Sequence, residues 1–296
     1  LVDVVQRLWD QIELIIRKTY GEEAWDNAIF LFLGDYVDRG TNPRGMLDWL
    51  IEKKAHKRPQ QIQIHLSGNH DHALAAFSGL LTPPPGGFRT VFSAFESPRD
   101  WEQIWDGGSP EANSKMHLQG RRYGGINSVY ENESTFKSYG VPLHDRDGIV
   151  NALPEEHKEF LRNLSFATIL HSPQGYLIAV HAGLLHTQPV VQQLMSLLAK
   201  DNEPGRIDQL SGRYEVTATP KELCREDILL VSGHHGKVES SLPFRLIIDS
   251  SGGRENQPIT SFILPPSSHI NNHQPPISSA DPDSQLKKGM ISVSAQ

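Results

Sequence analysis

Cysteine, long apolar runs and surplus positive charge are what this 296-residue chain has least of, and each shortage narrows its class. A single cysteine, Cys224, rules out an intrachain disulfide framework and fits a reducing compartment, so a cytoplasmic location, with the nucleus as a second, is expected. No apolar stretch approaches the ~20 residues of a membrane-spanning helix, and no membrane partner is expected. The 28 basic residues fall short of the 35 acidic ones, and the formal charge of −7 argues against general nucleic-acid binding. A phosphate site in such a chain has to be local. What remains, 38% hydrophobic and 21% charged residues, is ordinary for a globular protein.

An initiator methionine is missing as well. Residue 1 is leucine, and residues 1–18 already have helical spacing, with Val5, Leu8, Trp9, Ile12, Ile15 and Ile16 falling on one face. The chain is therefore read as cut before this helix. A buried strand over 28–33, a helix over 44–54 and a strand over 62–66 follow, an alternation that predicts an α/β sheet. Residues 96–150 are rich in Gly, Ser, Asn and Arg and carry Trp101 and Trp105. A structureless loop of that length is uncommon, so an inserted lid or subdomain with short helices is expected there. Order resumes with a helix from Pro154 to 164, a hairpin of 166–170 and 176–180, a helix over 190–199, and strands over 228–231, 245–249 and 259–264. Residues 265–296, dominated by Pro, Ser, Asn and Gln, read as a disordered tail.

Four apolar runs end in polar clusters containing glycine: GDYVDRG (34–40), SGNHD (67–71), HAGL (181–184) and SGHHG (232–236). Each places a metal-ligating residue type, Asp35, Asn69, His181 or His234, just beyond a strand, where open α/β sheets bind ligands. One carboxylate, one amide oxygen and two imidazoles, with no thiolate, suit Mn, Fe or Zn. An aspartate can also bridge two ions roughly 3.5–4 Å apart, but the outer ion's other ligands would have to come from elsewhere. His70 can protonate a leaving oxygen if a carboxylate fixes its tautomer, and Asp38 is the candidate. Arg39 offers a planar fork to two phosphate oxygens. Taken singly, these residues equally describe an Asp-rich turn with Arg39 paired to an aspartate and histidines satisfied in a core.

In this order the four motifs resemble the second to fifth signatures of the calcineurin-like metallophosphoesterases in their phosphoprotein-phosphatase form, to which GDxVDRG is specific. MHLQGRR (116–122), STFKSYGVP (134–142), LSGR (210–213), VSGHHGK (231–237) and RLIID (245–249) with Gly252 and Gly253 are similar to the Rhizobiales-like phosphatases of plants. The resemblance spans residues 1–265. It implies a layered β-sandwich flanked by helices, α/β/β/α, with residues 1–264 forming the catalytic domain. It further implies a metal-bridging Asp35, ligands Asn69, His181 and His234, an acid dyad of His70 and Asp38, and phosphate contacts from Arg39, Arg213 and Asn69. The implied cofactors are two metal ions, Mn, Fe or Zn. The implied reaction is hydrolysis of phosphomonoesters, phosphotyrosine on proteins foremost, by direct attack of metal-activated water. A nucleotide or dinucleoside polyphosphate hydrolase of the same fold, or a non-catalytic binding protein, is the alternative.

Two departures from the family pattern stand out. The first signature, GDxHG, is absent, so the fold's first strand is expected before Leu1, and the chain as it stands is expected to hold one metal and to be weakly active or inactive. The second is GNHD in place of GNHE, which leaves the role of Asp71 open. His235 is expected to be structural rather than a ligand. Arg121 and Arg122 fit either a contact to a second acidic group on the substrate or a solvated basic pair.

Overall fold

The computed structural model describes residues 2–88, 107, 115–125, 128–172, 175–240, 242, 244–251, 254, 257–265 and 290–293. From the amino end run α1 (Val2–Tyr20), α2 (Glu22–Asp26), β1 (Ile29–Phe32), α3 (Pro43–Ala55), β2 (Ile62–His65) and α4 (Asn69–Phe77). Next come α5 (Leu118–Gly124), α6 (Glu133–Ser138), α7 (Arg146–Ala152), α8 (Glu155–Asn163), β3 (Ala167–Ser172) and β4 (Gly175–Val180). Then follow α9 (Val190–Leu198), α10 (Asp208–Ser211), a 3-10 turn (Lys221–Leu223), β5 (Ile228–Ser232), β6 (Val238–Glu239), β7 (Arg245–Ile248), β8 (Ile259–Phe262) and β9 (Met290–Val293).

Side chains alternate across a strand, so each sheet presents one face to the other sheet and one to helices. β1 and β2 pair in parallel, with α3 as the crossover. That helix starts cleanly because Asn42 caps the Gly45 amide and Pro43 opens the first turn. The second sheet has the order β3-β4-β5-β7-β6, with β4, β5 and β7 parallel. Between the sheets, Leu31, Leu33 and Ile64 meet Leu177, Ala179, Leu229, Val231 and Leu246. On the outer face of the first sheet, Phe30 lies 4.5 Å from the Trp9 ring of α1, and Trp9 in turn meets Trp25 and Trp49 edge-on. On the outer face of the second, Ile178, Val180 and Leu230 pack on Val190 and Leu197 of α9. The architecture is thus mixed α/β in the α/β/β/α order. Among the described residues no helix is long and apolar enough to cross a membrane.

Four local readings change. β1 is less enclosed than its apolar run suggests: Ile29 and its partner Ile62 are each about half exposed at the open end of the pair. Asn69, His70 and Asp71 form the first turn of α4 rather than a loop, because Gly68 ends the extended chain immediately before them. The described part of 96–150 does not stand apart from the domain. Tyr123 of α5, Phe136 of α6 and Ile149 of α7 are buried in the same core as Trp9, Leu47 and Leu74. Trp101 and Trp105 lie outside the described residues. Within the tail, Met290–Val293 pairs antiparallel with β8, Ile259 opposite Val293, and runs beside α1, while 266–289 and 294–296 lie outside the described residues. A four-residue strand is too short to register against the polar composition around it.

Candidate functional site

The carboxyl ends of β1, β4 and β5 meet where the two sheets face one another. Asp35 lies just past β1, His181 directly after β4 and His234 two residues past β5. One ligand atom from each of these three lies within 4.8 Å of the others. Asp35 Oδ2 is 3.3 Å from His181 Nε2, and the His181 and His234 rings are 5.1 Å apart. The Nδ1 of His181 donates to the Leu33 carbonyl at 2.5 Å, which turns Nε2 toward Asp35; burial would lower the His181 pKa, but the Asp35 charge raises it above its ordinary value. Nε2 of His181, Nε2 of His234 and Oδ1 of Asn69 are all buried without a hydrogen-bond partner. Buried polar atoms are ordinarily paired, and the two histidine orphans, clustered with the Asp35 carboxylate, fit a cation with oxygen and nitrogen ligands. Burial alone would raise the Asp35 carboxyl, but His181, His70 and His234 hold it far below the usual range. Burial, with the neighbouring His181, pushes His234 down to about 2. A neutral imidazole is the form that ligates. No further His, Cys, Asp or Glu joins this cluster among the described residues.

Asp71, left open by the sequence, holds the first two loops together. Its Oδ2 accepts the Asp35 amide at 2.7 Å and the Gly68 amide at 2.8 Å, and its Oδ1 accepts the Tyr36 amide at 2.9 Å. The side chain is fully buried; burial and the Asp35 charge push its carboxyl up to about 6. The loops approach so closely that a Cβ on Gly34 would run into the Gly68 backbone and the His181 ring, and one on Gly68 into the Asp35 carboxylate. Gly34 also sits at φ +98, where other residues are strained. The available sequence signal was an acidic residue three places after a helix-starting glycine.

Beside this cluster, His70 Nδ1 and Asp38 Oδ2 are 2.7 Å apart and both side chains are buried. Burial would lower the His70 pKa, but the charge of Asp35 and the bond to Asp38 raise it above its ordinary value. Asp38 is itself fixed: Oδ1 accepts from Tyr123 Oη at 2.8 Å and from Thr135 Oγ1 at 2.5 Å, and its amide donates to Thr135 Oγ1 at 2.9 Å. Tyr123 and Thr135 come from α5 and α6, and no local pattern marks them, since they stand 85 and 97 residues from Asp38. The Tyr130 ring meets His70 edge-on at 5.2 Å.

Arg39 pairs with Glu131, Nε to Oε1 at 3.5 Å, rather than with an aspartate of its own loop. Arg213 donates from Nη1 to the His234 carbonyl at 2.5 Å. Both arginines, with Asp35, Asp38, His70, His181 and His234, line a cavity of about 1270 Å3 that is also lined by residues of α1 and of both sheets. His235 gives Nε2 to the Ala182 carbonyl at 2.7 Å, a bond that ties HAGL to SGHHG. Arg121 and Arg122 on α5 do not line the cavity.

The sequence model of a family described as calcineurin-like phosphoesterase matches residues 3–245. No curated protein matches the chain. Among solved structures, a hypothetical protein from Pyrococcus horikoshii OT3 aligns at a TM-score of 0.38 and 11% identity, covering 87% of this chain and 77% of that one.

Proposed function

Because the chain belongs to the calcineurin-like phosphoesterase family, whose activity is metal-dependent phosphoester hydrolysis, we propose that it is a protein phosphatase acting on phosphomonoesters, phosphotyrosine foremost. The observation that carries the reading is the pairing of two features in one cavity. Asp35, His181 and His234 bring ligand atoms together within 4.8 Å of one another, and a buried His70–Asp38 dyad lines the same cavity. Asp35, Asn69, His181 and His234 would hold one divalent cation; a second would need ligands beyond this cluster. When bound, the cation supplies positive charge against a phosphoryl oxygen and lowers the pKa of a water.

The remaining steps belong to side chains. Arg39 and the free edge of Arg213 bind phosphoryl oxygens and orient the phosphorus for in-line attack. Water oxygen forms the new bond to phosphorus as the ester P–O bond breaks and gives up one proton to solvent, and the departing oxygen takes the proton from His70 Nε2, which solvent then restores. Asp38 holds the opposite nitrogen, so the mobile proton is presented at Nε2 and the resulting neutral imidazole keeps its orientation. Tyr123 and Thr135 keep Asp38 in place during this transfer. A phenolic leaving group, with a pKa near 10, needs less help from the acid than an aliphatic alkoxide does.

Hydrolysis of phosphotyrosyl and phosphoseryl peptides, ATP and diadenosine polyphosphates should be compared with Mn(II) present. The peptides are expected to be turned over in preference to the nucleotides, the phosphotyrosyl peptide fastest, and His70→Gln to slow all of it. Preference for a nucleotide would replace the reading with the dinucleotide-hydrolase alternative. Activity indifferent to His70→Gln would remove the acid assignment.

A further inference from the structure

Arg245, the first residue of β7, is 1% exposed and is the largest fully buried side chain described. Among the described residues its guanidinium meets no carboxylate but five carbonyls and one hydroxyl. Nε donates to Thr217 O at 3.3 Å; Nη1 to Leu230 O at 3.3 Å and Leu246 O at 3.4 Å; Nη2 to Ala182 O at 3.2 Å, Val216 O at 3.4 Å and Ser232 Oγ at 2.6 Å. Burial draws the guanidinium down to about 9. Enclosing a charge without a counter-ion is expensive, and a leucine or methionine would fill the volume at less cost if filling were the task.

The partners are not scattered. Ala182 follows His181, Ser232 precedes His234 by two residues, and Val216 and Thr217 close the turn that begins at Arg213. These three segments also bond to one another. The Gly233 amide donates to the His181 carbonyl at 2.9 Å, Arg213 donates to the His234 carbonyl, and His235 donates to the Ala182 carbonyl that Arg245 holds. A Cβ on Gly183 would lie 2.7 Å from Arg245 Nη2, so the HAGL turn is folded closely onto it. Asp71 gathers backbone donors of the first two loops around a buried negative charge; Arg245 gathers backbone acceptors of the last two around a buried positive one.

We infer that Arg245 is a positioning residue that fixes His181, His234 and Arg213 as a single unit, so that both imidazoles are set for a cation before it arrives. The inference rests on the metal-site reading above and extends it to a residue that touches neither metal nor substrate. Lysine cannot serve, because one ammonium has three donors and no planar fork to span carbonyls on opposite sides.

The test is Mn(II) binding by calorimetry, Mn(II) alone being the probe, alongside the thermal midpoint in chelator. The proteins are the parent chain, Arg245→Lys, Arg245→Gly and His181→Ala. Arg245→Lys is expected to fold and to bind Mn(II) roughly 10- to 100-fold more weakly, the usual cost of losing a partner behind the ligands. Arg245→Gly is expected to recover affinity when guanidinium is added at millimolar concentration, and not when methylammonium is. Affinity in Arg245→Lys equal to the parent's overturns the inference. So does failure of both Arg245 variants to fold with guanidinium present, or affinity losses no larger than the loss of midpoint accounts for, since these make the residue a packing element. His181→Ala separates the two levels: unaltered Mn(II) binding there defeats the metal site itself, whereas lost binding there with an unaffected Arg245→Lys defeats only the role of Arg245.

Discussion

His70 Nδ1 lies 2.7 Å from Asp38 Oδ2 with both side chains shut away from solvent, and Asp38 is held on its other oxygen by Tyr123 and Thr135. Asp35 and Asp38 are what raise the His70 pKa against the opposing effect of burial. A general acid must be protonated, so activity is expected to persist at pH values above the ordinary histidine range and to fall on the alkaline side as His70 deprotonates. Asp38→Asn removes one of the two raising charges and is expected to move that alkaline limb to lower pH and to reduce kcat roughly 10²- to 10⁴-fold. Tyr123→Phe, leaving the charge but loosening its orientation, should do the same to a smaller degree. A pH–rate profile of Asp38→Asn that overlays the parent's would sink the dyad.

The orphaned atoms of Asn69, His181 and His234 predict a linkage between metal and stability. Mn(II) at 100 times its Kd should stabilise the chain by about 2.7 kcal/mol, and chelation should reverse this. The stoichiometry is expected to be one ion per chain, and Asn69→Ala, His181→Ala or His234→Ala should each abolish most of the shift. Scanning calorimetry with and without Mn(II) reads both quantities.

Replacing Asp71 by alanine deprives two buried backbone amides and one partly buried one of their acceptor at once. Each unsatisfied buried donor costs about 1–3 kcal/mol, so a net loss of roughly 3 kcal/mol or more is expected in urea unfolding, after allowing for the relief of a buried carboxylate. The same variant should bind Mn(II) more weakly, because the Asp35 amide is among the three. A loss below about 1 kcal/mol would show that the amides find water instead.

Acid lability has a separate origin. His65 is stacked on Phe32, 4.7 Å between ring centroids, and burial with nearby Lys54 lowers its pKa to about 4. Burial lowers His117 to about 4 as well. Below the ordinary histidine pKa near 6.5 the unfolded chain takes up protons that the folded chain refuses, so stability is complete above that pH and declines as pH falls toward 4. For His65 alone the decline is on the order of 3 kcal/mol. His65→Phe is expected to flatten the slope of unfolding free energy between pH 6.5 and 4, and an unchanged slope would assign the acid sensitivity to other groups.

What could be seen in the sequence was local. Helix α1 showed in the spacing of Leu8, Trp9, Ile12 and Ile16, and the strand ends showed in glycine followed by Asp, Asn or His, because both patterns are complete within a few residues. The structure then brings Asp35, His181 and His234 together. Tyr123 and Thr135 carry no local signal, because their ties to Asp38 span 85 and 97 residues and come from helices whose composition reads as an insertion. Arg245 looked like an ordinary charged residue opening a strand, and only the carbonyls converging on it distinguish it. β9 was hidden for the opposite reason, four residues of strand inside thirty of polar composition.

Asp35, Asp38, Arg39 and His234 all adopt left-handed backbone, at φ 60, 67, 54 and 69. Such geometry disfavours most L-residues and β-branched ones above all. At these four positions, then, the chain's shape filters substitutions before chemistry does. At Arg39, glycine and asparagine should be among the replacements that fold best and among those that turn over substrate worst. Valine or isoleucine should fail earlier, at the level of the loop itself. A library selected for soluble protein and one selected for activity would therefore keep different residues at position 39, and the residues lost between them would report what the guanidinium does apart from what the backbone demands.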